Sequence, residues 1–225
     1  MTHHRRRNNG TDPSKINETV ELSPAQRYAA FKQTQAKQRT VAAEFARSMP
    51  FELDEFQMQA NDALEAGDNV LVAAPTGAGK TVAADFAIYL AQTRNVKAFY
   101  TTPIKALSNQ KYHDLVDQYG TDKVGLLTGD TSINSEADIV VMTTEVLRNM
   151  LYEHSVTLEA LRYVILDEVH YLADRFRGPV WEEVIIHLPK NVNIIGLSAT
   201  VSNVEDFSEW IESVRGKTTL VMSEQ

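Results

Sequence analysis

From Asn69 onward, short runs of β-branched and other apolar residues recur at Val70–Ala73, Ala98–Thr101, Val124–Leu127, Ile139–Met142, Val164–Leu166 and Ile194–Leu197, with a further one at Thr219–Met222. Longer stretches with helical spacing lie between several of them: Lys80–Gln92, Lys105–Gln118, Glu145–Tyr152, Val180–His187 and Val204–Ile211. Runs without polar alternation suit strands buried on both faces. Their alternation with helices predicts an α/β fold of three layers, with a central, mostly parallel sheet of about seven strands. Such sheets bind ligands at the carboxyl ends of their strands. Upstream, residues 1–22 are polar, lack periodicity and carry Gly10 and Pro13, which predicts a disordered tail. Ser23-Pro24 has the form of a helix cap followed by a first-turn proline. Tyr28, Phe31, Val41 and Phe45, set among Gln, Lys and Ala, predict one or two amphipathic helices that end at Ser48-Met49-Pro50. The expected organisation is a tail at 1–22, a helical extension at 23–50 and an α/β domain at 51–225.

Composition narrows this picture only in places. The hydrophobic fraction of 43% and charged fraction of 23% are those of an ordinary globular chain. The net charge of −8 divides unevenly, with +5 on residues 1–50 and −13 on the rest. An acidic domain argues against a broad basic face for nucleic acid, but not against a narrow track of amides and hydroxyls that holds phosphates. Cysteine is absent, so disulfides and thiolate-bound metals are excluded, which fits a reducing, cytoplasmic location. No apolar run approaches the ~20 residues of a bilayer span. Arg5, Arg6 and Arg7 are followed by no apolar segment of a secretory signal. His3 and His4 in a polar tail are neither a tag nor a metal site.

The chemistry sits in two motifs. Ala74-Pro75-Thr76-Gly77-Ala78-Gly79-Lys80-Thr81 follows a predicted strand and opens a predicted helix, the context of a phosphate-binding loop. Backbone amides must point inward at phosphate oxygens there, and Gly77 and Gly79 suit positions that a side chain would obstruct. The helix N-terminus adds partial positive charge, Lys80 should reach the β- and γ-phosphates, and Thr81 should ligate Mg²⁺. Ala74 stands where glycine is usual. About 90 residues on, Tyr163–Leu166 delivers Asp167 and Glu168 to a strand end. Asp167 is suited to hold Mg²⁺ through water, and Glu168 to orient or deprotonate an attacking water. Phe51 and Gln57, taken alone, suit helix packing and a surface amide, and His170 alone is a structural histidine.

With further segments added, the chain resembles a superfamily 2 DExH-box helicase over roughly residues 51–222. Ala74–Thr81 resembles motif I, Asp167-Glu168-Val169-His170 motif II and Ser198-Ala199-Thr200 motif III. Phe51–Gln57 resembles the adenine-reading segment, Thr101–Gln110 motif Ia, and Thr128–Asp130 with Thr143–Glu145 the motif Ib region. Pro103–Lys111, Met142–Arg148, Asp167–Tyr171 and Arg177–Glu182 are similar to the superkiller-type RNA helicases, which work with RNA-decay machinery in eukaryotes. The resemblance implies a RecA-like first motor domain that binds ATP and Mg²⁺. It implies that Lys80, Asp167 and Glu168 serve catalysis. Phe51, Gln57, Pro75, Thr76, Gly77, Ala78, Gly79, Lys80 and Thr81 would hold the nucleotide. His170, Ser198 and Thr200 would couple the nucleotide site to nucleic acid. Single-stranded RNA would lie along Pro103, Lys105, Asn109, Gly129, Asp130, Thr143, Thr144 and Arg148, whose hydroxyls, amide and helix N-termini suit a sugar-phosphate backbone.

Those backbone contacts do not by themselves separate RNA from DNA, so a DNA helicase of the same superfamily is the rival reading. A nucleotide-binding module without turnover is a second, and a P-loop kinase leaves motifs Ia and III unexplained. Family members carry a second RecA-like domain whose motif VI supplies arginine fingers. No segment after Thr200 matches motifs IV to VI. The expectation is that such a domain of the same parent chain completes the ATPase site, and that these 225 residues alone turn over little ATP.

Overall fold

The computed structural model describes residues 23–170, 178–200 and 203–223. The tail assigned to 1–22 lies outside the described residues, as do Tyr171, Arg175 and Arg177. The chain divides into two compact units, residues 1–39 and 40–225. Within the first, helix α1 spans Pro24–Lys37. It opens with a reciprocal cap: the Ser23 N–H donates to Gln26 Oε1 and the Gln26 N–H to Ser23 Oγ.

The second unit begins with α2 (Val41–Ser48), whose first amides donate to the carboxylate of Glu65 at 3.0 and 2.7 Å. Glu65 ends α3 (Glu55–Glu65). Phe45 of α2 packs on Phe86 and Tyr89 of α4 (Thr81–Arg94), with ring centroids 5.3 and 5.4 Å away. Helix α4 carries apolar residues on nearly every side, as a helix enclosed by protein must. Phe86, Ile88 and Leu90 are fully buried, each contributing about 1.5–3 kcal/mol.

The strands are β1 (Asn69–Ala73), β2 (Lys97–Thr102), β3 (Val124–Thr128), β4 (Thr131–Ile133), β5 (Ile139–Thr143), β6 (Leu161–Leu166), β7 (Asn193–Ser198) and β8 (Thr218–Met222). They form one sheet in the order β4-β3-β5-β2-β6-β7-β1-β8. All neighbours are parallel except β3 and β4. The sheet has eight strands rather than about seven. The extra one, β4, is a three-residue edge strand folded back by the Thr128–Thr131 turn. Its residues are largely exposed, so no apolar run marks it in the sequence.

The remaining helices are α5 (Lys105–Tyr119), α6 (Thr144–Tyr152), α7 (Gly178–His187) and α8 (Val204–Arg215). Alternate strand residues point to opposite faces. Tyr100, Val141, Ile165 and Leu197 meet α2 to α5 on one side, while Phe99, Val140, Val164 and Ile194 meet α6, α7 and α8 on the other. This gives the three layers expected.

Candidate nucleotide and nucleic-acid site

The sheet order divides the molecule's chemistry. Strands β6, β7 and β1 are neighbours, so Asp167, Ser198 and Ala74 leave the sheet side by side at its carboxyl edge. The backbone is cross-tied there: the Ala74 N–H donates to Ser198 O at 3.1 Å and the Asp167 N–H to Thr101 O at 3.0 Å. Strands β3, β5 and β2 form the adjoining group. From their ends rise the Gly129-Asp130 turn, the start of α6 at Thr143-Thr144, and the start of α5 after Pro103.

Beyond β1 the chain turns through Gly77 at φ +87° and Gly79 at φ +81°, conformations that strain any residue with a Cβ. A Cβ on Gly79 would also come 2.5 Å from Gln57 Nε2. Lys80 then stands at the N-cap of α4. It is 8% exposed, and its ammonium has no hydrogen-bond acceptor; its nearest charge is Glu168 Oε1 at 3.7 Å. A buried cation with unfilled donor capacity is costly unless an anion completes it. It stands at a helix N-terminus beside two left-handed glycines, a set of donors that fits a polyphosphate. Thr81 and Thr76 are exposed, while Pro75 and Ala78 are half-buried.

Asp167 uses both carboxylate oxygens. Oδ1 accepts the Glu168 N–H at 2.9 Å, and Oδ2 accepts the Tyr100 hydroxyl at 2.7 Å. Burial, followed by the Asp167 charge, pushes the Tyr100 phenol well above its ordinary value, so it remains a donor. Glu168 has φ +57°, the left-handed region that non-glycine residues seldom occupy. That turn sends its carboxylate back toward Lys80 and His170. His170 Nδ1 lies 3.2 Å from Glu168 Oε2 and 3.3 Å from the Ala199 N–H. A single ring nitrogen can accept from the amide or, when protonated, donate to the carboxylate, not both at once. The ring therefore touches both motif II and motif III. Ser198 is buried, with its hydroxyl donating to Ala199 O, and Thr200 is exposed.

Gln57 is not a surface amide. It is 5% exposed, its Oε1 accepts the Asp54 N–H at 2.9 Å, and its Nε2 donates to Gly79 O at 3.1 Å. It braces α3 against the phosphate loop. Phe51 is half exposed.

Along the other half of the edge, Lys105 is ion-paired with Asp130. That bond, with one from Thr128, holds the Asp130 carboxyl below its usual value. Arg148 lies 3.7 Å from Glu183. Both cations of the expected strand track thus already face carboxylates. Thr144 is buried and donates to Thr102 O at 3.2 Å, tying α6 to β2, whereas Thr143, Pro103 and Asn109 are half-buried and Gly129 is exposed. Tyr100 escaped the sequence reading. A tyrosine inside a fully buried strand needs a partner for its hydroxyl, and that was the available signal.

A parallel sheet with a glycine-rich loop and lysine after β1 and paired acids after β6 has the arrangement of a RecA-like, P-loop domain. The family model for the DEAD/DEAH box helicase matches residues 54–207, and the chain belongs to that family. It is 62% identical over 180 residues to a protein named probable helicase HelY from Mycobacterium tuberculosis, covering 80% of this chain and 20% of that one. It is 52% identical over 178 residues to the antiviral helicase SKI2 of Saccharomyces cerevisiae, covering 79% and 14%. The superkiller assignment made from the motifs therefore holds. Among solved structures, Mycobacterium smegmatis helicase Lhr bound to ssDNA and AMP-PNP superposes with a TM-score of 0.67 at 29% identity, covering 82% of this chain and 28% of that one. The chain thus spans about a fifth of the length of the HelY protein. No helix among the described residues is long and apolar enough to cross a membrane.

Proposed function

We propose that this chain is the first, ATP-binding motor domain of a helicase that couples ATP hydrolysis to movement along single-stranded RNA. The observation that carries the reading is the buried, acceptor-free ammonium of Lys80, set between two left-handed glycines and the Asp167–Glu168 pair. Lys80 and the amides of residues 76–81 hold the triphosphate, and Phe51 stacks on the base. Gln57 keeps one amide hydrogen and one carbonyl lone pair beyond the two bonds it makes, enough for an adenine edge. Thr81 and Asp167 hold Mg²⁺, which neutralises phosphate charge when bound. Glu168 orients the attacking water. His170, touching Ala199, couples this half of the edge to the strand track.

RNA is favoured by the motif resemblance to superkiller-type RNA helicases and by the similarity to a chloroplastic ATP-dependent RNA helicase of Arabidopsis thaliana, 49% identical over 179 residues. The superposition on Lhr bound to ssDNA supports DNA as the second reading. The deciding experiment measures ATPase stimulation of a chain extended through a second RecA-like domain, with single-stranded RNA and DNA of one sequence. Greater stimulation by RNA is expected. Lys80→Ala should weaken ATP binding by about 2–3 kcal/mol, or roughly 30- to 150-fold, through loss of charge-assisted bonds. Unchanged affinity in a folded variant would overturn the phosphate-loop reading.

The track has few free cations. Strand binding by these 225 residues should therefore be weak, indifferent to sequence and only shallowly salt-dependent. With about 0.7 of a log unit per neutralised phosphate on single strands, Lys105 and Arg148 together allow a slope no steeper than roughly −1.5. Fluorescence anisotropy across a salt series checks this, and a slope beyond about −3 would place the strand on other cations.

A further inference from the structure

Resting on the reading of Asp167 as the magnesium residue, we propose that Tyr100 is a positioning residue that fixes the Asp167 carboxylate for metal binding. Tyr100 lies on β2, with two strands, β6 and β7, between it and β1, and its hydroxyl donates to Asp167 rather than to the glycine loop or Lys80. Its ring is fully buried under α4 and α5, with the Lys111 ammonium 5.0 Å from its centroid. Lys111 in turn faces half-buried Asp85 of α4, whose carboxyl burial pushes up and this cation pulls back down. The ring is therefore gripped between helix and sheet, and its hydroxyl can reach only a narrow region.

That region holds Asp167 Oδ2 at 2.7 Å, while Oδ1 is taken by the Glu168 amide at 2.9 Å. Two donors on two different oxygens stop rotation about the last side-chain bond. Each oxygen keeps a second lone pair, so the acid stays able to accept from water around a cation. Without the hydroxyl, one oxygen is held and the other is free to swing. Losing a partner that orients a metal's carboxylate typically costs 10- to 100-fold in metal affinity. Because the contact here is through water, the lower end applies.

The test titrates Mg²⁺ into the 225-residue chain with a fluorescent ATP analogue and reads nucleotide binding rather than turnover. In Tyr100→Phe, the Mg²⁺ concentration for half-maximal enhancement should rise roughly tenfold, with magnesium-free affinity unchanged. Placing 4-aminophenylalanine at position 100 restores a neutral donor at the same point and should return the wild-type value. This rescue separates the hydroxyl's role from packing, and circular dichroism checks the fold of both variants. Wild-type Mg²⁺ dependence in a folded Tyr100→Phe chain overturns the proposal and leaves the Asp167 reading intact. A wild-type chain whose nucleotide binding ignores Mg²⁺ overturns the Asp167 reading itself, and the proposal with it. A rise that 4-aminophenylalanine does not reverse assigns the effect to packing and also overturns it.

Discussion

Glu168→Gln should reduce ATP turnover by about 10²–10⁴-fold while leaving nucleotide bound as tightly as before, or more tightly. The carboxylate stands 3.7 Å from the Lys80 ammonium and is turned there by a left-handed backbone that both residues can adopt equally. Glutamine keeps the size and the hydrogen-bonding reach but cannot take a proton from water, so the chemical step alone suffers. Binding gains, if anything, because an anion beside the triphosphate becomes neutral. The measurement is single-turnover hydrolysis by a chain extended through a second RecA-like domain. An arginine finger there is worth roughly 10³–10⁵ in rate, so the effect is read against a substantial wild-type signal. A loss below tenfold would assign the water to another group.

The largest expected effect on stability lies far from that site. Arg215 ends α8 and is 8% exposed. Its Nη1 donates to Ile185 O and Leu188 O, and its Nη2 donates to Pro189 O and Val192 O at 2.7 Å each. One guanidinium thus satisfies the carbonyls where α7 ends and the chain turns toward β7. Pro189 O also accepts the Val192 N–H at 3.0 Å, but the other three have no later helical amide to meet, and a buried carbonyl left alone costs about 1–3 kcal/mol. Arg215→Ala should therefore destabilise the domain by roughly 3–5 kcal/mol, since several carbonyls lose their donor together. At about 2–4 °C per kcal/mol for a domain of this size, thermal unfolding should shift by roughly 10 °C. Arg215→Lys should recover only part, because a single ammonium cannot span the same carbonyls. A shift of a degree or two for Arg215→Ala would show that water replaces the guanidinium without loss.

What could be read from the sequence was what lies close along the chain. Val164-Ile165-Leu166 is apolar because both faces of β6 are covered, and the acids after it stand at a strand end for the same reason. The glycine loop between β1 and α4 is legible because its glycines, lysine and threonine are consecutive. Edge strand β4 was missed because exposed strands need no apolar pattern. The pairings that define the site's rest state were also out of reach. Tyr100 with Asp167, Gln57 with Gly79, Lys105 with Asp130 and Arg215 with the end of α7 each join residues 22 or more positions apart. Such contacts follow from the strand order, which local spacing does not encode. Gln57 illustrates the point: its type fits a helix surface, yet its place between a helix start and the phosphate loop buries it.

Strand β1, which launches the phosphate loop, has β7 and β8 as its neighbours. Asn69 at its start is bonded through Oδ1 to the Ile194 N–H, 125 residues later in the chain. Strands β2, β3, β5 and β6 can pair with one another much earlier in synthesis. On a ribosome adding about 5–20 residues per second, β1 waits on the order of 6–25 s for its first partner. During that interval the largely apolar β1 has neither strand neighbour, and the apolar surface of α4 has only the earlier helices and strands, such as Phe45 of α2, to cover it. Nucleotide stabilises only a state in which its pocket exists. On the proposed function, ATP therefore cannot guide the early pairing of strands and would bind only once β1 is seated between β7 and β8.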